Sequence, residues 1–356
     1  MQPLLGWTTD YDSDRSLGPG VPGSEEAVLT ADVQLQRSLE NMQFMLEPHF
    51  DVRRYSSNVW GPGNDRNLSG SFSWNGTRTQ ITLTGSVANQ STLTTELLET
   101  GLVNTDTRRR AYQGGLQGSW ARSERHQSFI SLNYMDVSYS GPQFVQLLLP
   151  GFKYPSGSLG ERFFLSEKIT FSVSAFGDAL LSDQSRASSH EAGGQVEFSY
   201  AHSERTSFDL SIGESKRSVA GTNGLGTVGA LSVVHNFERS TATLSYSRNL
   251  VPYGIGFLVE RQQLTAGFTR HLTPYLDADI TVLGIRNNQS AVLLGLDRKN
   301  YENAGLGMSW KLGESWTLRP VVTTSWTRPI QASADVHEWR AELDMIWKPL
   351  PSWISR

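Results

Sequence analysis

The sequence predicts an all-β chain, a single antiparallel up-and-down transmembrane β-barrel of about 18 strands, with short turns at one end and long loops at the other. Three observations predict it: segments of about ten residues that alternate apolar and polar, connections that alternate in length, and aromatic residues gathered beside the short turns. The 356 residues are 38% hydrophobic and 19% charged with a net charge of −4, too aromatic and too weakly charged for a disordered chain. No apolar run approaches the length of about 18 residues that a membrane-crossing helix needs. The absence of cysteine excludes disulfide frameworks, thiolate metal sites and cysteine nucleophiles. No basic excess points to a nucleic-acid partner.

The alternation is explicit. Leu29, Ala31, Val33 and Leu35 face one way, and Thr30, Asp32, Gln34 and Gln36 the other. Phe44, Leu46, Pro48, Phe50 and Val52 oppose Met45, Glu47, His49, Asp51 and Arg53. The same period of two runs through 79–87, 112–120, 194–200, 276–282 and 339–347. Slipping any of these by one residue would turn every side chain to the wrong face, so the registers are strongly specified.

Short turns fall near 39–42, 75–77, 123–126, 165–168, 202–205, 237–240, 272–275 and 312–315. Longer Gly-, Asn-, Ser- and Pro-rich loops fall near 17–25, 56–65, 89–107, 140–153, 182–190, 218–226, 251–257, 287–298 and 328–337. Eight turns and nine loops require 18 strands. The first strand, near 6–16, is inferred because an even count returns both termini to the short-turn side. Closure is required because an open sheet could not satisfy its edges in lipid. The chain therefore reads as one domain over 1–356, with the first strand and loop in 1–24 and a short tail at 349–356. Residues 1–24 lack a basic segment followed by an apolar one, so the expectation is a mature chain whose secretory signal has been removed.

Trp74, Trp120, Phe163 or Phe164, Tyr200, Phe237, Phe268 and Trp310 precede the short turns. Phe44, Phe129, Phe171, Phe208, Tyr275 and Trp316 follow them, and Trp347 nearly ends the chain. Rings at one level of a barrel form an interfacial girdle. The opposite, polar face then lines an aqueous lumen. Its acids are Asp32, Glu47, Asp51, Glu197, Asp209, Asp277, Asp279, Glu342 and Asp344, and its bases are Arg53, Arg109, Arg261, Arg319 and Arg340, with His49 beside them. Gln34, Gln80, Gln113, Gln117 and Gln195 complete the predicted lining, and Tyr55 and Tyr139 are candidates to stack on a solute. Acids outnumber arginines nine to five, which predicts a mild preference for cations. The loops 89–107 and 140–153 are candidate gates.

Basic residues collect at the long-loop ends. Arg54, Arg108, Arg110, Lys216, Arg217, Arg298 and Lys299 are candidates to contact lipopolysaccharide phosphates by charge-assisted hydrogen bonds. Outer-membrane lipid is thus an expected partner, and no cofactor, metal or catalytic residue is expected. Gly224-x-Gly226-x-x-Gly229 has dinucleotide-motif spacing but opens onto a strand at Ala230 rather than a helix, and reads as a loop. The seven histidines form no ligand-spaced pair.

The segment Trp7-Thr8-Thr9-Asp10-Tyr11-Asp12-Ser13-Asp14 and the recurring Ser-Glu-Arg hairpins, as at Ser203-Glu204-Arg205, resemble outer-membrane β-barrels associated with bacterial exopolysaccharide secretion. The resemblance implies an outer-membrane exit duct for a saccharide polymer, served by separate periplasmic export proteins. From the residues themselves two other functions stand beside it: a general or substrate-specific diffusion porin for small solutes, and a plugged structural or surface-binding barrel.

Overall fold

The alternating segments fold as strands because period-two sequences present one face to each side of a sheet. The computed structural model describes residues 2–13, 23–56, 63–92, 95, 107–141, 149–183, 188–219, 221–253, 256–288, 298–329 and 336–349. These form one sheet of 18 strands. In chain order they are β1 (Gln2–Asp12), β2 (Ser24–Ser38), β3 (Met42–Tyr55), β4 (Gly63–Asn75), β5 (Thr79–Ser91) and β6 (Arg108–Ser123). There follow β7 (His126–Ser140), β8 (Phe152–Phe164), β9 (Ile169–Ser182), β10 (Ser189–Ser203), β11 (Thr206–Val219) and β12 (Thr222–Asn236). The last six are β13 (Ser240–Tyr253), β14 (Phe257–Thr273), β15 (Leu276–Asn288), β16 (Arg298–Lys311), β17 (Trp316–Pro329) and β18 (Val336–Trp347). Each strand pairs antiparallel with its neighbours in sequence. Thr8 of β1 lies opposite both Val28 of β2 and Asp344 of β18, which closes the barrel and removes both edges.

Cross-strand partners share a face, so one register propagates around the wall. The row Ser71, Thr84, Gly115, Asn133, Ser156 and Asp178 points inward. The adjoining row Phe72, Leu83, Leu116, Leu132 and Gly157 points outward. Large apolar side chains on the outward row positions are left uncovered around the whole circumference: Leu29 is 56% exposed, Leu83 45%, Ile212 61%, Leu306 57% and Val322 54%. A belt of this extent is incompatible with water and fits lipid. Aromatic rings mark its short-turn margin, where Trp316 and Trp347 lie 6.4 Å apart, and also the opposite margin, where Tyr11 and Trp339 lie 5.0 Å apart. Phe129 departs from the expected girdle. Its register opposite Ser119 and Gly160 turns it into the lumen, where the Arg162 guanidinium sits 5.4 Å from its ring.

All eight short turns fall where the sequence places them. The first strand is shifted to Gln2–Asp12, because the alternation of Leu5, Trp7 and Tyr11 outward begins earlier than the expected 6–16. Two expected long loops are tight instead. The turn between β11 and β12 holds Gly221 at φ 83°, a conformation that glycine adopts without strain. The glycine-rich 224–229 segment is therefore not a loop but the first half of β12. An added Cβ at Gly226 would displace the Arg217 guanidinium from the position it holds. The expected loop at 251–257 is the end of a hairpin whose strands run nearly to its tip.

Candidate functional site

The registers put every predicted lumen residue on the inward face. These are Asp32 and Gln34 on β2, Glu47, His49, Asp51 and Arg53 on β3, and Gln80 on β5. They continue with Arg109, Gln113 and Gln117 on β6, Gln195 and Glu197 on β10, and Asp209 on β11. Arg261 on β14, Asp277 and Asp279 on β15, Arg319 on β17, and Arg340, Glu342 and Asp344 on β18 complete the set. Arg109 and Arg261 are buried, so they brace the wall rather than border open lumen. Tyr139 is buried as well, which removes it as a stacking surface for a solute. Asp10, Asp12, Glu26, Asp65, Glu191 and Glu338 also face inward, beyond the predicted set: Asp65 falls in an expected loop, Glu26, Glu191 and Glu338 border expected loops, and Asp10 and Asp12 lie on the first strand, for which no lumen residue is predicted. Continuing the period of two outward from each strand is the signal that finds them.

Most of these charges are spent on one another. Arg53 reaches Asp65 (3.2 Å), Glu26 (3.0 Å) and Asp51 (2.8 Å). Asp65 in turn accepts from Arg108 Nη1 and from the Ser91 amide, each at 2.9 Å. The His49 ring bridges Asp32 and Asp51, and Thr30 Oγ1 donates to Asp51 at 2.7 Å. Arg340 bonds Asp10 and lies 2.7 Å from Glu342, while Thr8 Oγ1 donates to Asp344 at 2.6 Å. Acids dominate a contiguous sector from β15 through β18 and β1 to β4. The inward face of β5 to β8 is by contrast mainly hydroxyl and amide. Among the described residues no group of three or more His, Asp or Glu side chains is placed to hold a metal ion.

The feature that shapes the pathway is the β13–β14 hairpin. The β12–β13 ladder stops at Gly229 opposite Arg248, yet β13 and β14 stay paired up to Tyr253 opposite Phe257. Above Arg248 β13 parts from β12 while β14 keeps its ladder to β15 as far as Glu260 opposite Asn288, and beyond that point the two strands run as a ribbon that folds inward, where β14 touches β9, β10 and β11. Leu250 and Leu258 pack in a buried cluster with Ala111, Val137, Phe152 and Leu180 of the inner wall. At the tip Gly256 approaches Ser182 and Pro150 so closely that an added Cβ would lie 2.8 Å from Ser182 Oγ. A latch closes the seam left beside β12. Arg217 bonds Glu191 and Glu260 at 2.8 Å each and donates to the Thr227 carbonyl at 2.9 Å, and Arg248 also reaches Glu260 at 3.1 Å. The two loops expected as gates lie largely outside the described residues, and the described end of the second, at Leu149 and Pro150, is buried against the ribbon.

The lipid-contact candidates divide. Arg54, Arg110 and Lys216 occupy outward positions at the long-loop end. Arg108 is committed to Asp65 and Asn89. Arg217 is excluded, since its register points it into the lumen and its guanidinium is consumed by the latch. The side chains of Arg298 and Lys299 lie outside the described residues.

A closed 18-stranded antiparallel barrel with an apolar belt outside and charge inside is the fold of outer-membrane porins, and the belt with its two girdles places this chain in a bacterial outer membrane. Among solved structures it is similar in fold to OccK11 (OpdR) of Pseudomonas aeruginosa, with a TM-score of 0.52 and 10% identity over 98% of this chain and 96% of that one. OprD of the same organism (TM-score 0.48, 9% identity, 98% and 95% covered) and the siderophore receptor PiuA of Acinetobacter baumannii (0.47, 8%, 98% and 82%) are also similar. No family model and no curated protein matches the chain, so the resemblance to exopolysaccharide-secretion barrels gains no support from them.

Proposed function

We propose that this barrel is a selective diffusion channel for small polar solutes. The observation that carries the reading is the inturned ribbon, which narrows the lumen with an apolar clamp while the wall beside it stays polar. A saccharide polymer in transit would have to thread past that clamp continuously. A small solute needs only to pass it once, and the fold likeness to OccK11 favours the same choice. The test is single-channel recording of the refolded protein in a planar bilayer. Stable openings support the channel, and insertion without conductance would favour a plugged barrel.

The acidic sector sets the expected ion preference, because a low-dielectric wall focuses the field of its charges into the pore. Changing Asp277 and Asp279 to Asn, Glu342 to Gln and Asp344 to Asn should move the reversal potential in a salt gradient from cation-preferring toward zero. An unchanged reversal potential would mean that the internal ion pairs leave no net field.

At the outer surface, we propose that Arg54, Arg110 and Lys216 contact lipopolysaccharide phosphates. Replacing all three with Gln should lower the lipopolysaccharide that co-purifies with the barrel, and equal amounts would refute the contact.

A further inference from the structure

We infer that the inner wall directly beneath the ribbon is a subsite for a neutral polyhydroxylated ring, of about one or two sugar units by its size; this rests on the channel reading above. A recess of about 480 Å³ lies there against β3 to β8. None of the residues lining it carries a formal charge, although the rest of the lumen is densely charged. On the long-loop side of its lining is the inward row Ala111, Val137 and Phe152, which belongs to the ribbon's apolar clamp. The next row toward the short turns is Gln113, Met135 and Tyr154, and the one after it is Gly115, Asn133 and Ser156.

Three features fit a sugar better than an ion. The amide donors are held by weak partners: Gln113 Nε2 lies 3.5 Å from the Met135 sulfur, and Asn133 Nδ2 is 3.4 Å from Ser131 Oγ. Thioether sulfur is a poor acceptor, so a ligand hydroxyl replaces it at a gain. Gly115 lets the lining side chains Thr84 and Asn133 close in over the wall, since a Cβ there would meet Thr84 Oγ1 at 2.6 Å and Asn133 Oδ1 at 3.1 Å. Met45, Met135 and Tyr154 supply the polarisable and flat apolar contacts that suit the C–H face of a sugar ring. A cation would find no carboxylate among the lining residues, and an anion no guanidinium.

The probe is maltose added to the wild-type channel in a planar bilayer, with lysine as the cationic comparison. Maltose should block the ion current saturably, and Gln113→Leu with Asn133→Leu should raise the half-blocking concentration about tenfold, as expected for two lost hydrogen bonds. The block is read as a fraction of each channel's own open current, so that a change in basal conductance does not enter the comparison. The nearly isosteric Gln113→Glu serves as a second variant should the leucines impair folding, and it should also weaken the maltose block. If the channel conducts but maltose lowers the current only in linear proportion to viscosity, the subsite is overturned and the channel stands. If lysine blocks saturably through the same residues while maltose does not, the neutral class is overturned. If no current flows at all, the channel reading itself falls, and this inference with it.

Discussion

Changing Leu250 and Leu258 together to Glu should raise the single-channel conductance by about twofold or more, because the ribbon then leaves the lumen and the pore cross-section grows. Each leucine is almost fully buried among Ala111, Val137, Phe152 and Leu180. Burying such a side chain is worth about 1.5–3 kcal/mol, and a carboxylate in its place would be desolvated with no partner in that apolar cluster. The ribbon has little else to hold it, since an isolated two-stranded hairpin is marginal in water. A covalent tether supplies the reciprocal test. The chain has no cysteine, and an added Cβ at Gly256 would lie 3.3 Å from Cβ of Ser182, slightly shorter than the spacing of a disulfide, while φ 86° at this position strains any residue but glycine and makes the bridge easy to reduce. In the double-glutamate background, Ser182→Cys with Gly256→Cys should return the conductance toward wild type on oxidation and release it on reduction. Conductance that ignores both the glutamates and the tether would show that the ribbon is not the constriction.

Arg217→Ala should strongly destabilise the base of the ribbon. The side chain is only 10% exposed and bonds Glu191, which is 3% exposed, and Glu260, which is 15% exposed. Removing it strands the Glu191 carboxylate in a poorly hydrated seam and leaves Glu260 to Arg248 and Asn288 alone, and breaking a buried pair in this way costs about 3–5 kcal/mol. The loss should be local first, because β13 above Arg248 has no ladder to β12 and depends on this latch. The expected result is faster proteolysis within the ribbon and a lower unfolding temperature by gel-shift of the heated protein. Arg217→Lys should rescue only part of the effect, since an ammonium cannot serve Glu191, Glu260 and the Thr227 carbonyl from one planar fork. Neutralising all three positions at once, with Arg217→Met, Glu191→Gln and Glu260→Gln, should recover much of the stability, because no charge is then left buried without a partner. Equal stability of wild type and Arg217→Ala would remove the latch from the account.

The two experiments separate roles that the static structure joins. Apolar burial holds the ribbon tip against β7, β8 and β9, whereas the arginine fork holds its base against β10 and β11. A ribbon freed at the tip widens the pore with the seam intact. A ribbon freed at the base also exposes the unpaired backbone of β12 between Thr222 and Val228, which is an open sheet edge.

Much of this protein is legible in its sequence. Strand count, the eight short turns and the inward face of all the predicted lumen residues follow from a period of two, because a strand in a closed wall must show one face to lipid and one to water. The same rule misleads at the ends of strands. Asp65 falls in a segment that reads as a loop and Glu191 borders one, and the glycine-rich stretch from 224 to 229 also reads as a loop although Gly226 makes room for Arg217 in a strand. Leu250 and Leu258 show the limit most plainly. Both occupy positions whose alternation points to lipid, and both are buried inside the barrel. Alternation fixes which side of its own strand a residue takes, not where that strand travels. Only the tertiary structure decides that the β12–β13 ladder ends at Arg248, since the latch and the apolar cluster that turn the ribbon inward are assembled from strands far apart in the chain.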